Sequence, residues 1–259
     1  LGWGALERNV AFVPFVVLLH LGTAAALAVF YRDDWARVVR AFTISAVRGR
    51  LMRSPDEHLA WMLFFGTIPA GVLGAVFESP LKTLFATPLV ASALLVVNGG
   101  IMLLGERLRR AQDTAGRLTF RGEEPEGKRS IADLGWRDAV AVGSAQALAL
   151  FPGISRSGAT MCAGLLINMR HDEAARYTFM LATPLIAAAG LLEVPTLFTQ
   201  GAPAFAIFLV GGVLSGVTAY LSVRFLTQYF RVGRLDPFAY YCIAAGLLSF
   251  VLFSVRGGS

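Results

Sequence analysis

Apolar runs long enough to cross a bilayer, with one run broken in its middle, constrain this chain more than any other feature. A hydrocarbon core takes roughly 20 predominantly apolar residues in helix, and Val10 to Tyr31, His58 to Phe77, Glu173 to Phe198 and Pro203 to Leu226 meet that length. Pro88 to Leu104 and Phe238 to Val255 are slightly shorter but uncharged, which brings the total to about six spans. The expected fold is an all-α polytopic membrane protein, with residues 1–259 forming a single integral membrane domain. Composition agrees: 56% of residues are hydrophobic and 15% charged, with a mean hydropathy of +0.62, far more apolar than a soluble domain of this length.

The broken run is Ala139 to Leu150. It is too short to cross and leads into Phe151-Pro152-Gly153-Ile154-Ser155-Arg156-Ser157-Gly158-Ala159-Thr160 before apolar sequence resumes at Met161. That pattern predicts a re-entrant helical hairpin. Irregular backbone at membrane depth is tolerated only where protein buries it or water lines it, so the break also predicts a cavity. Pro69 and Pro184 fall inside spans and are expected to kink them and shape that cavity.

The formal charge of +6 and pI near 9.8 reflect topology rather than nucleic-acid binding, because the basic residues sit in short loops between apolar runs. Arg32, Arg37, Arg40, Arg48, Arg50 and Arg53 crowd the first loop, and Arg107, Arg109, Arg110, Arg117, Arg121, Lys128 and Arg129 the third. Glu78 to Thr87 carries only Lys82, and Thr199 to Ala202 carries no positive charge. The positive-inside rule places the crowded loops, with Arg231 and Arg234, in the cytoplasm. With Arg137 and Arg170 on that side too, the hairpin enters and leaves from the cytoplasmic face. The opening Leu1-Gly2-Trp3 shows no signal-peptide pattern and suggests further sequence before it. Cys162 and Cys242 lack partners at metal-ligand spacing and read as small core residues.

Arg156 is the sharpest chemical signal. A guanidinium within an apolar region costs about 3 kcal/mol on insertion scales unless an anion compensates it. It can grip two phosphate oxygens at once, while Ser155, Ser157 and Thr160 offer hydroxyls and Gly153 and Gly158 let backbone amides approach. A half-helix beginning after Gly153 would add its N-terminal dipole. The bland alternative is an arginine that snorkels or pairs with a structural acid, beside serines that cap a helix. By pattern alone the stretch is an anion site in a membrane break, and hydrolysis and transport both remain open. His20, inside a span, is read as a structural hydrogen-bonding group, with proton carriage or metal binding as the other choice. His58 and His171, at span ends, are read as interfacial.

The segment Gln146-Ala147-Leu148-Ala149-Leu150-Phe151-Pro152-Gly153-Ile154-Ser155-Arg156-Ser157-Gly158-Ala159-Thr160 resembles the signature of the bacterial undecaprenyl-diphosphate phosphatases, or bacitracin-resistance proteins. Weaker similarities run through Leu21-Gly22-Thr23, Gly66-Thr67-Ile68-Pro69, Glu173-Ala174-Ala175-Arg176 and Asp236-Pro237-Phe238 with Tyr241. The resemblance implies hydrolysis of undecaprenyl diphosphate to the monophosphate carrier of cell-wall synthesis, at a site open to the outer side of the bacterial cytoplasmic membrane. It implies that Arg156 holds the diphosphate, that Ser155 and Thr160 join it as catalytic phosphate contacts, and that Ser157, Gly153, Gly158 and Gln146 are substrate-binding. It implies two inverted repeats, each with a re-entrant hairpin. It also implies a divalent metal, Mg or Ca, held by an acidic motif that the family carries before the segment beginning here at Leu1. The 259 residues are then expected to lack part of the catalytic machinery, and no metal ligand is assigned within them. Cys242 stands where the family commonly has Arg after Tyr, so no cationic phosphate contact is expected there. The implied partners are a polyprenyl diphosphate lipid, the membrane and a second copy of the chain, with no nucleic acid.

Overall fold

In lipid each backbone amide must find its partner within its own segment, so apolar runs fold as helices. The computed structural model describes residues 12–49, 52–77, 87–115, 128–192, 194–197, 202–231 and 234–257. Over these residues the chain forms α1 (Phe12–Phe30), α2 (Arg32–Arg48), α3 (Pro55–Val76), α4 (Pro88–Ala115), α5 (Trp136–Ala147), α6 (Arg156–Leu166), α7 (His171–Leu192), α8 (Ala202–Tyr229) and α9 (Asp236–Gly257), with short helical turns between some of them. Start signals are local. The Ser54 hydroxyl accepts from Glu57 N at 3.2 Å, and Pro55 follows as the first helical residue of α3, where its missing N–H costs nothing. Gly49, at φ 60°, ends α2 in the left-handed conformation.

Five helices among the described residues are long and apolar enough to cross a bilayer, with α1 a sixth when taken together with α2. Five of the six expected spans are therefore present, with ends moved by a few residues, and the described part of the first, Phe12–Phe30, is helical. The first loop is a different matter. Arg32, Arg37, Arg40 and Arg48 lie on α2, a 17-residue helix bent 88° from α1, so if α1 follows the membrane normal, α2 lies close to the membrane plane. Val38 and Ser45 face inward, and Trp61 Nε1 donates to the Ser45 hydroxyl at 3.0 Å. The charge-poor loops at 78–86 and 198–201, and residues 116–127 of the third loop, lie outside the described residues, as does the hairpin expected before Leu1.

The second hairpin is where the break placed it. With 12 and 11 residues, α5 and α6 are each about 16–18 Å long, well short of a roughly 30 Å core. Their outer ends are tied together, because Arg129 N donates to Asn168 O at 2.9 Å and Arg170 N to Arg129 O at 3.2 Å. The hairpin therefore returns to the side it left. Charged helix ends collect at this same side. Arg176 Nη2 donates to Asp34 Oδ1 at 2.9 Å, Glu173 Oε2 accepts from Ile131 N at 2.9 Å, and Arg110 pairs with Asp236.

The core forms where the hairpin meets α3, α4 and α7, around Met62, Leu165, Tyr177, Met180 and Leu181, all essentially unexposed. Tyr177 fastens α7 to α3 by donating to Met62 O at 2.7 Å. α1 and α8 pack backbone to backbone: a Cβ on Gly22 would sit 2.1 Å from Gly212 O. Val213, Val217, Leu221 and Phe225 of α8 and Leu248 and Val251 of α9 are exposed, the apolar surface that a bilayer covers. Pro69 and Pro184 sit inside α3 and α7. Pro184 borders a separate apolar pocket with Trp35 and Phe42, and neither proline lines the cavity at Arg156.

Candidate active site

The tip of the hairpin is held from behind. Gly153 has φ 90°, and a Cβ there would lie 2.1 Å from Ala91 O, so only glycine lets the turn press on α4 this closely. About two helical turns along α4, the fully buried Asn98 accepts from Ser155 N with Oδ1 at 3.0 Å, and its Nδ2 reaches Cys242 Sγ at 3.4 Å and Met102 Sδ at 3.6 Å. Asn98 thus fixes the entry to α6 and ties it to α9. Ser155 caps α6, its hydroxyl accepting from Gly158 N at 3.2 Å. Thr160 is fully buried and donates to Arg156 O at 2.8 Å, closing the first turn from within.

These fixings leave Arg156 as the first residue of α6, beside first-turn amides that have no intrahelical acceptor. Its side chain lines a cavity of about 400 Å³ between α1, α6, α7 and α8, in company with His20, Thr23, Ser157 and Ser222 and with apolar walls from Leu19, Phe179 and Ile186. The described lining contains no Asp or Glu, and among the described residues no hydrogen bond or ion pair reaches the guanidinium. The cation, the serine hydroxyls and the α6 dipole all favour an anion here. A second cavity of about 220 Å³ lies on the other side of Ser157, lined by Ser155, Ser157, Gly158, Met161, Thr178 and Cys242.

The structure therefore brings Arg156 and Ser157 to the first cavity, and Ser155, Ser157 and Gly158 to the second. It places Thr160 and Gly153 behind the tip, lining neither. Gln146 is 1% exposed on α5, and its amide has no partner among the described residues. Cys162 and Cys242 are free and buried. His171 is also buried, paired through Nε2 with Glu106 Oε2 at 3.2 Å. Asn98 and Ser222 belong to no motif in the sequence, and Thr23 enters only within Leu21-Gly22-Thr23. An uncharged amide inside the apolar run of α4 was the available signal for Asn98, since such a group is costly in lipid without partners.

Among the described residues no group of three or more His, Cys, Asp or Glu side chains is placed to hold an ion.

The family model for "Bacitracin resistance protein BacA" matches residues 3–248. The chain is 44% identical to the undecaprenyl-diphosphatase of Mycolicibacterium paratuberculosis, covering 95% of this chain and 82% of that protein. It is 40% identical to undecaprenyl-diphosphatase 2 of Frankia alni, covering 94% and 83% respectively. With undecaprenyl-diphosphatase 2 of Chromobacterium violaceum it shares 37% identity over 96% of this chain and 86% of that one. A match over nearly the whole length, spanning both the hairpin and the helices around it, makes this chain a member of the bacitracin resistance protein BacA family.

Proposed function

We propose that the protein hydrolyses undecaprenyl diphosphate to undecaprenyl phosphate and inorganic phosphate in the bacterial cytoplasmic membrane, recycling the lipid carrier of cell-wall synthesis. The observation that carries this reading is Arg156, a guanidinium at a helix N-terminus in an intramembrane cavity whose described lining contains no carboxylate. Such a group is stable there when a ligand brings the negative charge. The family and its diphosphatase relatives supply the reaction.

In this reading Arg156 clamps two oxygens of the diphosphate, and Ser157 donates from the same cavity wall. Ser155 shares a 3.4 Å hydroxyl contact with Ser157 and joins it as a further donor. The terminal phosphorus exchanges its bridging P–O bond for one to the oxygen of water, giving inorganic phosphate and the prenyl phosphate; as the bridging bond breaks, charge builds on both groups, and fixed donors in the cavity stabilise that charge more than the ground state. Thr160 acts through Arg156, by holding the carbonyl of its turn, and Gly153 through the close seat of the tip on α4. Gln146 belongs to the substrate-binding group of this proposal, and Gly158 to the wall of the second cavity. The apolar side of the first cavity, Leu19, Phe179 and Ile186, suits the first isoprene units, with the rest of the tail in lipid. The hairpin's tied base belongs on the cytoplasmic side, and a reach of about 18 Å carries its tip past the middle of the bilayer, toward the outer face.

Dependence on a divalent cation, Mg or Ca, is part of the proposal. Its ligands are not found among the described residues lining the cavity, and no step here is routed through it. Pairing of two copies is also part of it, tested by cross-linking in native membranes.

The test is phosphate release from undecaprenyl diphosphate by the purified full-length protein in detergent, with and without divalent metal, beside Arg156→Lys. Release that Arg156→Lys abolishes supports the reading. Transbilayer movement of the lipid without phosphate release would replace it with a transporter.

A further inference from the structure

The arginines of α2 divide into two kinds. Arg37 pairs with Asp34 and lies 3.5 Å from Asp56, and Arg32 lies 3.7 Å from Asp33. Arg40 and Arg48 are exposed, and among the described residues neither has a hydrogen bond, ion pair or ring contact. α2 is bent 88° from α1 at the side where the charged helix ends collect, and Val38 and Ser45 fix which of its faces turns inward. At about 100° per residue, Arg40 falls on the opposite face, with the exposed Ala36, Thr43 and Val47. The flank between the two faces is apolar. Beside it lies an open pocket of about 270 Å³, lined by Val39 and Phe42, by Ala60, Phe64 and Thr67 of α3 and by Pro184 of α7. Val39 is 55% exposed and Phe64 45%, apolar surface that lipid covers.

Depth identifies the occupant. Ala60, Phe64 and Thr67 lie about 8 to 18 Å along α3 from its start at Pro55, where Asp56 and Glu57 mark the polar edge of the membrane. The pocket therefore runs from α2 into the hydrocarbon of the same leaflet, a depth that suits an acyl chain and neither a soluble peptide nor a free anion. We infer that the corner between α2 and α3 binds an anionic phospholipid of the cytoplasmic leaflet, with an acyl chain in this pocket and the headgroup phosphate held by Arg40. Arg48, about 12 Å farther along α2, faces the same layer of headgroups. A zwitterionic headgroup brings its own ammonium, which competes with the guanidinium for the phosphate. An anionic headgroup leaves the phosphate to the arginine, and the negative surface of the leaflet adds its attraction. A helix lying in the interface, with basic residues outward and apolar ones beside the acyl chains, is built for such a partner. Neither Arg40, Arg48 nor Val39 lines the cavity at Arg156, so the lipid site stands or falls apart from the diphosphate reading.

Native mass spectrometry of the full-length protein in detergent, titrated with phosphatidylglycerol and separately with phosphatidylcholine of the same acyl chains, reads the site without relying on turnover. Wild type is expected to hold phosphatidylglycerol more tightly. Arg40→Gln and Arg48→Gln should each weaken phosphatidylglycerol binding about fivefold and phosphatidylcholine binding much less. Arg40→Lys, which keeps the charge, should recover most of the loss. Both arginines are exposed, so these variants are expected to fold as wild type does. Any lipid taken by the Arg156 cavity is common to wild type and variants, and the differences between them isolate α2. Val39→Gln places an amide against the pocket and should weaken both lipids, which a site for a free anion would not show. Equal binding of the two lipids by wild type would overturn the inference, as would phosphatidylglycerol binding indifferent to both Arg40→Gln and Arg48→Gln. Wild-type binding of both lipids by Val39→Gln would remove the acyl chain from the pocket and overturn it as well.

Discussion

Two groups of basic residues lie deep in this protein, and they are built on opposite plans. At the charged end, Glu106 is fully buried, with His171 Nε2 3.2 Å away and the Nε atoms of Arg109 and Arg110 each at 3.6 Å, while Arg110 also pairs with Asp236. These basic side chains come with their own carboxylates and join α4, α7 and α9. At the hairpin tip, Arg156 and His20 share a cavity whose described walls carry no carboxylate at all. A charge that supports the fold has its counterion in the chain, whereas a charge kept for a ligand lacks one. Buried ion pairs add little net stability but are costly to break, so the two groups should respond differently to substitution.

The largest effect is expected at Glu106. Replacement by Gln leaves Arg109, Arg110 and His171 without their shared carboxylate, at a cost of about 3–5 kcal/mol. Thermal unfolding followed by size-exclusion chromatography should show a lowered midpoint, with turnover per folded molecule nearly unchanged. If turnover falls and the midpoint holds, the contrast between the two groups is wrong. Arg156→Lys should do the reverse. An ammonium cannot reproduce the two-oxygen fork, and loss of a transition-state donor lowers kcat about a hundredfold or more with the unfolding midpoint held. Wild-type turnover in this variant would remove Arg156 from the site.

Asn98→Leu sharpens the comparison, because Asn98 belongs to neither charge group yet fixes the tip. Leaving Ser155 N–H without its acceptor costs about 1–3 kcal/mol, and a looser tip should lower kcat/KM about tenfold, so stability and activity fall together. The smallest effect lies at the hairpin's base. Arg129 bonds the Asp138 carboxylate, which also accepts from Gly135 N at 2.9 Å, and these bonds hold its carboxyl below the usual carboxylate range. Its contribution is complete above the unfolded value, near pH 4, and is lost as pH falls through the lowered folded value. Asp138→Asn should cost about 0.5–1 kcal/mol at neutral pH, with the gap from wild type closing in acid unfolding curves.

Much of this molecule was legible in its sequence. Helical spans follow from apolar runs because a bilayer permits little else. The break at Phe151 to Ser155 was visible because Pro152, Gly153 and the serines interrupt an apolar stretch too short to cross, and Arg156 stood out because a guanidinium in lipid demands an anion. The helix within the first connection was not legible. A charge count carries no periodicity, so Arg32, Arg37, Arg40 and Arg48 mark topology in the sequence without revealing α2, the helix on which Val38 and Ser45 pack inward.

Tertiary structure decided which of the signature's residues meet. Ser157, Ser155 and Thr160 follow one another within a few residues, yet α6 turns by about 100° per residue. Ser157 thereby borders both cavities, Ser155 one, and Thr160 the backbone of its own turn. Placement of His20 beside Arg156, and of Asn98 behind Ser155, depends on α1 and α4 packing against the hairpin from distant parts of the chain. The bilayer acts on each segment separately, so the sequence by itself determined that the chain spans, where it breaks and which charge it exposes there. Contacts between helices depend on how shapes fit, as where Gly22 meets Gly212 and Gly153 meets Ala91, and only the folded whole decides them.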